Sequence, residues 1–253
     1  MKKFFFIFDK TKKAKQFKKN ILKDNINYSP SNADIFIIGG GDGFMLYALK
    51  KYQKYRKPFY GVNCGSYGFL MNKMDKIDLQ KKIRRSIKSI INPLQIIVSA
   101  KNSKKKLIAI NEISLLRQSR QTTSLNLKIG NKSIIKNFVG DGILVSTPAG
   151  STAYNLSIHG PILNLNSGKL ALTPISAFRP RRWKGKIISN KSIVKVTNID
   201  PKKRPVAASA DNVEVRNVKS LTIKNDNKNK IILLYDNKRT LTNRIKVEQN
   251  RRK

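Results

Sequence analysis

The chain has 253 residues, 40% of them hydrophobic, which is enough for a buried core and excludes wholesale disorder. Its 53 Lys and Arg stand against 14 Asp and Glu, a net charge of +39. The basic residues run from end to end, as in DKTKKAKQFKKN, KKIRRSIKSI and NRRK, instead of gathering on one element with aromatics between them. Compositional drift therefore accounts for the charge better than a specific nucleic-acid function does, although a positive field still attracts small polyanions.

The opening MKKFFFIFDK holds five apolar residues. A signal core needs about 7–15 and a membrane helix about 20, so the run predicts a first buried strand. The lone Cys64 excludes an intramolecular disulfide and fits a reducing compartment. The expectation is a cytoplasmic protein with no membrane partner. Next comes KTKKAKQFKKNIL, a helix with a sparse apolar face. ADIFIIG is a continuous apolar run, as in a parallel sheet covered on both sides. Met45, Ala48, Leu49 and Tyr52 then recur at helical spacing. PFYGVN predicts a strand and DKIDLQKKIRRSIKSII a helix. The alternation predicts an α/β domain over 1–92, doubly wound around a mostly parallel sheet.

Near Pro93 the character changes. LQIIVSA, LIAINEISLLR, TSLNLKIG, SIIKNFVG, GILVSTP, LALTPIS, GKIIS, SIVKVTN, VEVRNV, SLTIKN and KIILLYD are short strand-like runs separated by turn signals such as KNSKKK and GNK. All but the last, which lies at 230–236, predict a β-rich second domain over 93–227, interrupted by one helix opened by PAGSTAYNLS. The tail NKRTLTNRIKVEQNRRK reads as a short terminal helix or as disorder.

Gly39, Gly40, Gly41 and Gly43 surround Asp42 where a strand gives way to a helix. Glycine permits positive φ and close backbone approach, and a helix start exposes N–H groups to a phosphate. The spacing matches neither a Walker A loop nor G-x-G-x-x-G. An acid there repels phosphate, so its use is to take a proton from an attacking hydroxyl or to help hold Mg²⁺; the structural alternative is a helix N-cap. Asn111 and Glu112 interrupt an apolar run and point to opposite faces. An inward carboxylate there suits a ligand hydroxyl; the alternatives are an internal salt bridge or an exposed strand end. In FVGDGILVSTPAGSTAYNLSIHGPIL, Ser146, Thr147, Ser151 and Thr152 offer hydroxyls at a helix start. His159 is the only histidine and makes no His-based metal site. FRPRRWKGK, the densest basic-aromatic segment, reads as a solvated strand edge guarded by cations in preference to a phosphate-binding segment.

In chain order, GGGDG, YGVNCGSYGFL, NEISL, GDGILVSTPAGSTAYNLSIHGPIL and SAD resemble the NAD kinase family, from about Phe4 to Tyr235. Diacylglycerol-type lipid kinases share the glycine–aspartate loop but not the pairing of NEISL with GSTAYNLS. The resemblance implies transfer of the terminal phosphate of ATP, or of polyphosphate, to the 2′-hydroxyl of the adenosine ribose of NAD. It implies a divalent cation, Mg²⁺, with no metal ligands assigned to the chain, and a homo-oligomer, dimer or tetramer. It implies that 228–253 returns to the first domain and that 93–227 binds NAD. Asp42 would sit at the reacting hydroxyl beside Gly40, Gly41 and Gly43. Phe69, Asn111, Glu112, Asp141, Ser151, Thr152, Ala153, Tyr154 and Asp211 would line the nucleotide site. The chain departs from the common pattern at Phe44, Tyr67, Ala149 and Asn212.

Overall fold

A computed structural model describes residues 1–65, 68–74, 78–100, 103–237 and 240–250, and it divides into two compact units, Met1–Ile91 with Asn229–Lys253, and Asn92–Lys228. The first unit opens with β1 (Phe4–Phe8), α1 (Lys12–Ile21), β2 (Ile35–Gly40), α2 (Asp42–Tyr52), β3 (Phe59–Asn63), α3 (Leu79–Arg85) and β4 (Ile87–Ile91). All six residues of β2 are buried, as expected of a strand covered on both faces. One face of the sheet packs Phe4, Phe6, Ile35, Ile37, Tyr60 and Val62 against Phe17 of α1 and Leu79 and Ile83 of α3. On the other face, Tyr52 of α2 meets Phe5 and Phe36 edge-on, with ring centroids 5.4 and 5.7 Å apart.

The predicted long helix over DKIDLQKKIRRSIKSII is corrected. Its first residues, 75–77, lie outside the described residues. Asp78 caps α3 by accepting from the Gln80 N–H, and Ser86 has extended backbone. The remainder is strand β4, in which Ser89 and Ile91 are buried while Ile87 and Ile90 face out. Three isoleucines in five positions favour a pleated, half-buried surface over a helix.

The second unit holds β5 (Leu94–Ala100), β6 (Lys104–Ala109), β7 (Glu112–Arg117), β8 (Thr123–Ile129), β9 (Lys132–Gly140), β10 (Gly142–Ser146), α4 (Tyr154–Ser157), β11 (Lys169–Ile175), β12 (Lys186–Ser189), β13 (Val194–Asn198), β14 (Val206–Ala210), β15 (Val213–Val215) and β16 (Val218–Asn225). These form two antiparallel six-stranded sheets, β12-β11-β10-β7-β14-β15 and β6-β5-β16-β13-β8-β9. Ile113, Leu115, Ile143, Val145 and Leu172 from one sheet share a core with Ile96, Val98, Leu125, Leu127 and Val196 from the other. LIAINEISLLR is two strands, not one, broken at Ile110–Asn111. The helix expected after PAGSTAYNLS shrinks to a 3-10 turn at Ala149–Thr152 and the single turn α4.

The chain then returns to the first unit as β17 (Ile231–Tyr235) and α5 (Leu241–Asn250). β17 lies between β3, to which it is parallel, and β4, to which it is antiparallel, in a sheet of order β1-β2-β3-β17-β4. The tail is thus helical, with Leu241 and Ile245 buried one turn apart. No described helix is long and apolar enough to cross a membrane.

Candidate active site

In the first unit, β2 ends at Gly40 and α2 begins at Asp42, with Gly41 as N-cap. Asp42 is therefore not the cap of its own helix. Its carboxylate instead accepts N–H bonds from Phe69, at 2.6 Å, and Leu70, at 3.0 Å. Burial pushes the carboxyl above the ordinary carboxylate value, opposed by those two N–H bonds and by the positive charge of Arg244. The result is an acceptor whose proton affinity lies closer to that of a hydroxyl-activating base than an exposed aspartate's does.

The glycines earn their places in a way the sequence did not suggest. None of the four adopts positive φ. A Cβ on Gly39 would stand 2.8 Å from Phe17, and one on Gly40 2.7 Å from Phe44, so these two admit close side-chain packing. A Cβ on Gly41 or Gly43 would meet nothing within 4 Å, so the space over these two residues is open. Phe44 is the reason Gly40 has no side chain, and its ring stacks on Tyr47.

Asn72, wholly buried, ties the chain after β3 to the end of β17: its amide donates to the Leu234 carbonyl and its oxygen accepts from the Asp236 N–H. Asn63, Gly65, Gly68, Asn72 and Lys73 line a cavity of about 230 Å³ at this end of β3. Tyr235, at the end of β17, lies under the Arg244 guanidinium, 5.3 Å from ring centroid to Cζ. Arg244 of α5 donates to the carbonyls of Gly68, Phe69 and Met71. Cys64 follows β3, but burial pushes its thiol up to about 11, which leaves it protonated and unsuited to nucleophilic work.

In the second unit a different carboxylate organises the loop between β6 and β7. Asp211, in left-handed backbone at φ 49°, accepts N–H bonds from Ile110 at 2.8 Å, Asn111 at 2.9 Å and Glu112 at 3.3 Å. The Ser-Thr turn locks onto the same loop. Thr147 donates from Oγ1 to the Ile110 carbonyl and from its N–H to the Asn111 carbonyl. Gly150 lies so close that a Cβ there would stand 2.2 Å from the Asn111 oxygen. Ser151 Oγ is buried, donating to the Pro148 carbonyl and accepting from the Leu163 N–H. Asn155, also buried, donates to the carbonyls of Ser151 and Pro161 and accepts from Thr173.

The structure gathers Asn111, Glu112, Ser151 and Asp211 in one cluster, with Thr152, Ala153 and Tyr154 continuing the same turn, and Tyr154 exposed. Ser151 and Asp211 spend their hydrogen bonds on the protein. Asp141 stands apart. It precedes β10, whose far end, Ser146, pairs with Glu112, and it is ion-paired to Arg117 at 2.6 Å. Five residues of strand separate it from the cluster, about 15 Å. His159 is an exposed turn residue at φ 61°. Leu70, Asn72, Tyr235 and Arg244 were not anticipated; the Leu241–Ile245 spacing marks the helix that carries Arg244.

Among the described residues no three His, Cys, Asp or Glu side chains gather to hold a metal ion. Each Asp42 oxygen accepts one N–H and keeps a lone pair, but among the described residues no second carboxylate stands beside it to complete a metal site. This donor set does not form a resident cation cage. It suits a cation that arrives on a nucleotide, held by phosphate oxygens and water, as Mg²⁺ commonly is.

The ATP-NAD kinase N-terminal domain model matches residues 3–91 and the ATP-NAD kinase C-terminal domain model residues 110–219. The NAD kinase of Caulobacter vibrioides is 44% identical over 221 residues, covering 87% of this chain and 85% of that one. The chain belongs to the NAD kinase family. Its relative in Zymomonas mobilis, also an NAD kinase, is 42% identical over 95% of both chains. Two solved structures share the fold. An NAD kinase from Archaeoglobus fulgidus in complex with ATP has a TM-score of 0.75 at 21% identity, covering 94% of this chain and 95% of its own. The yeast NADH kinase complexed with NADH has a TM-score of 0.74 at 22% identity, covering 88% of this chain and 67% of its own.

Proposed function

We propose that the chain carries out the reaction of its family, ATP-dependent phosphorylation of NAD, with Asp42 as the group that accepts the proton of the attacking hydroxyl. The donor substrate is Mg·ATP. The adenosine 2′-oxygen of NAD bonds to the γ-phosphorus as the bond from that phosphorus to the bridging oxygen breaks; ADP leaves, NADP forms, and the hydroxyl proton passes to Asp42. Phosphoryl transfer asks the protein chiefly for positioning and charge stabilisation. Gly41 and Gly43 leave the backbone at the start of α2 open to the donor phosphates, at the positive end of that helix.

Asn111 and Glu112 hold the adenosine end of NAD, with Thr152, Ala153 and Tyr154 beside them and Phe69 lining the base of the Asp42 loop. Asp211 and Ser151 act through the backbone they hold. The observation that carries the reading is the Asp42 carboxylate, fixed by two N–H bonds at the start of α2 and raised in proton affinity by burial. The test is to incubate the pure protein with NAD, Mg²⁺ and either ATP or polyphosphate and to assay NADP with an NADP-specific dehydrogenase, repeating with NADH as acceptor. NADP formation with ATP is expected. No NADP with either donor overturns the reading. A homo-oligomer and a cytoplasmic location complete the proposal, to be checked by light scattering and by fractionation.

A further inference from the structure

The hydrogen bonds to Asp42 and those from Arg244 meet in the same two peptide groups. The Gly68 carbonyl accepts from Arg244 at 2.7 Å, and the N–H on the other side of that peptide bond, of Phe69, donates to Asp42 at 2.6 Å. The Phe69 carbonyl accepts from Arg244 at 2.5 Å, and the N–H across that bond, of Leu70, donates to Asp42 at 3.0 Å. In a trans peptide the carbonyl and the N–H point in opposite directions. Two peptide dipoles therefore lie in line, with a guanidinium at their oxygen ends and a carboxylate at their hydrogen ends. Each charge polarises the hydrogen bond at the other end.

We infer that Arg244 is a positioning residue for Asp42, setting the direction and the charge of the acceptor through the peptide groups 68–69 and 69–70; this rests on the reading of Asp42 as the proton acceptor.

The guanidinium suits the task. It offers five donors in a planar fork, and three are seen on the carbonyls of Gly68, Phe69 and Met71. Its other face packs on the Tyr235 ring, and Tyr235 is wholly buried. The Tyr235 hydroxyl makes no hydrogen bond among the described residues, so the ring serves Arg244 with its face. The positive charge of Arg244 from α5 acts on the Asp42 carboxyl, and both charges act on the Tyr235 phenol from β17. Burial pushes the Tyr235 phenol up, so it stays neutral and leaves Arg244 as the balancing charge.

The experiment compares Arg244→Met and Arg244→Lys, each alone and combined with Asp42→Asn, by kcat against pH and by amide hydrogen exchange on the folded proteins. Arg244→Met is expected to lower kcat about 10–100-fold, the scale of a misplaced reacting group. Its acid limb should move up by about one pH unit, the low end of what a neighbouring cation does to a carboxyl. Arg244→Lys should restore most of the limb, since the charge remains, and only part of kcat, since the fork is lost. In the Asp42→Asn background, Arg244→Met should cost less than about threefold more, because residues acting as a unit are not additive. Exchange at the Phe69 and Leu70 amides should quicken while that in β2 does not. An unmoved acid limb in folded Arg244→Met, or full additivity with Asp42→Asn, overturns the inference. If the unaltered protein makes no NADP, the functional reading fails by itself. Amide exchange then decides: protection kept at Phe69 and Leu70 overturns the inference, and protection lost supports the coupling of Arg244 to the Asp42 amides.

Discussion

Both units use an aspartate to hold a loop by its N–H groups, yet they treat the carboxylate differently. Asp42 accepts from two amides whose carbonyls are tied to a cation, and burial raises its proton affinity. Asp211 accepts from three amides in a loop whose carbonyls are tied to Thr147, a neutral partner. The first arrangement keeps a charge balanced and ready to change its protonation. The second makes a stiff seat. A carboxylate at the centre of a hydrogen-bond cluster can therefore be chemical or architectural, and what lies behind the amides it holds tells which.

That contrast breaks most sharply at Asp42→Asn. General-base assistance is typically worth about 10²–10⁴-fold, and kcat should fall by that much while the Kd for NAD changes far less. Steady-state kinetics and NAD titration on one preparation check it. The pH dependence has a definite sign. Asp42 must be ionised to accept a proton, and its affinity for that proton is raised, so kcat should fall as pH drops through a value above the ordinary aspartate range. A limb at the ordinary value would mean that burial is not felt in the working enzyme.

Smaller effects should come from the second unit, and of another kind. Glu112→Gln replaces a charged acceptor by a neutral one; hydrogen bonds to charged groups are worth about 1.5–3 kcal/mol, so NAD binding should weaken tenfold or more. Melting should be little changed. Gly150→Ala and Gly41→Ala form a matched pair. The first drives a methyl into the Asn111 carbonyl and should cost about 1–3 kcal/mol or more of stability by thermal or urea unfolding. The second meets open space, so it should cost no more than the roughly 1 kcal/mol of an alanine at an N-cap while raising KM for ATP. Smallest of all, the scattered basic residues should give weak nucleic-acid binding in a filter or gel assay that vanishes at physiological salt. Binding that survives salt and prefers one sequence would reopen a nucleic-acid role.

Most of this was legible where one local rule decided the outcome. The continuous run of β2, the helical spacing of α2 and the short runs of the second unit follow their patterns. The pattern misled at SIKSII, where isoleucines spaced for a helix were those of an edge strand beside β17, a partner distant in sequence. It was silent at VAASA, whose small residues carry little strand signal and are held as β14 between β7 and β15. At the site, Asp42 stood out because an acid among glycines is unusual. Arg244 did not, because one arginine among 53 basic residues carries no mark, and its meaning lies in contacts with a loop far away in the chain.

The central position of β17 also bears on how the molecule is made. A chain leaving the ribosome completes β4 about 140 residues before β17 emerges, a gap of about 7–28 s at ordinary elongation rates. Through that interval β3 has an open flank and β4 has no partner, while the strands of the second unit emerge and pair among themselves. An unpaired strand flank recruits other chains. The nascent first unit is thus the part of this protein most exposed to such pairing, and a ribosome that stops before Ile231 releases a product with a gap in its sheet and without the Arg244 bonds to the Gly68 and Phe69 carbonyls.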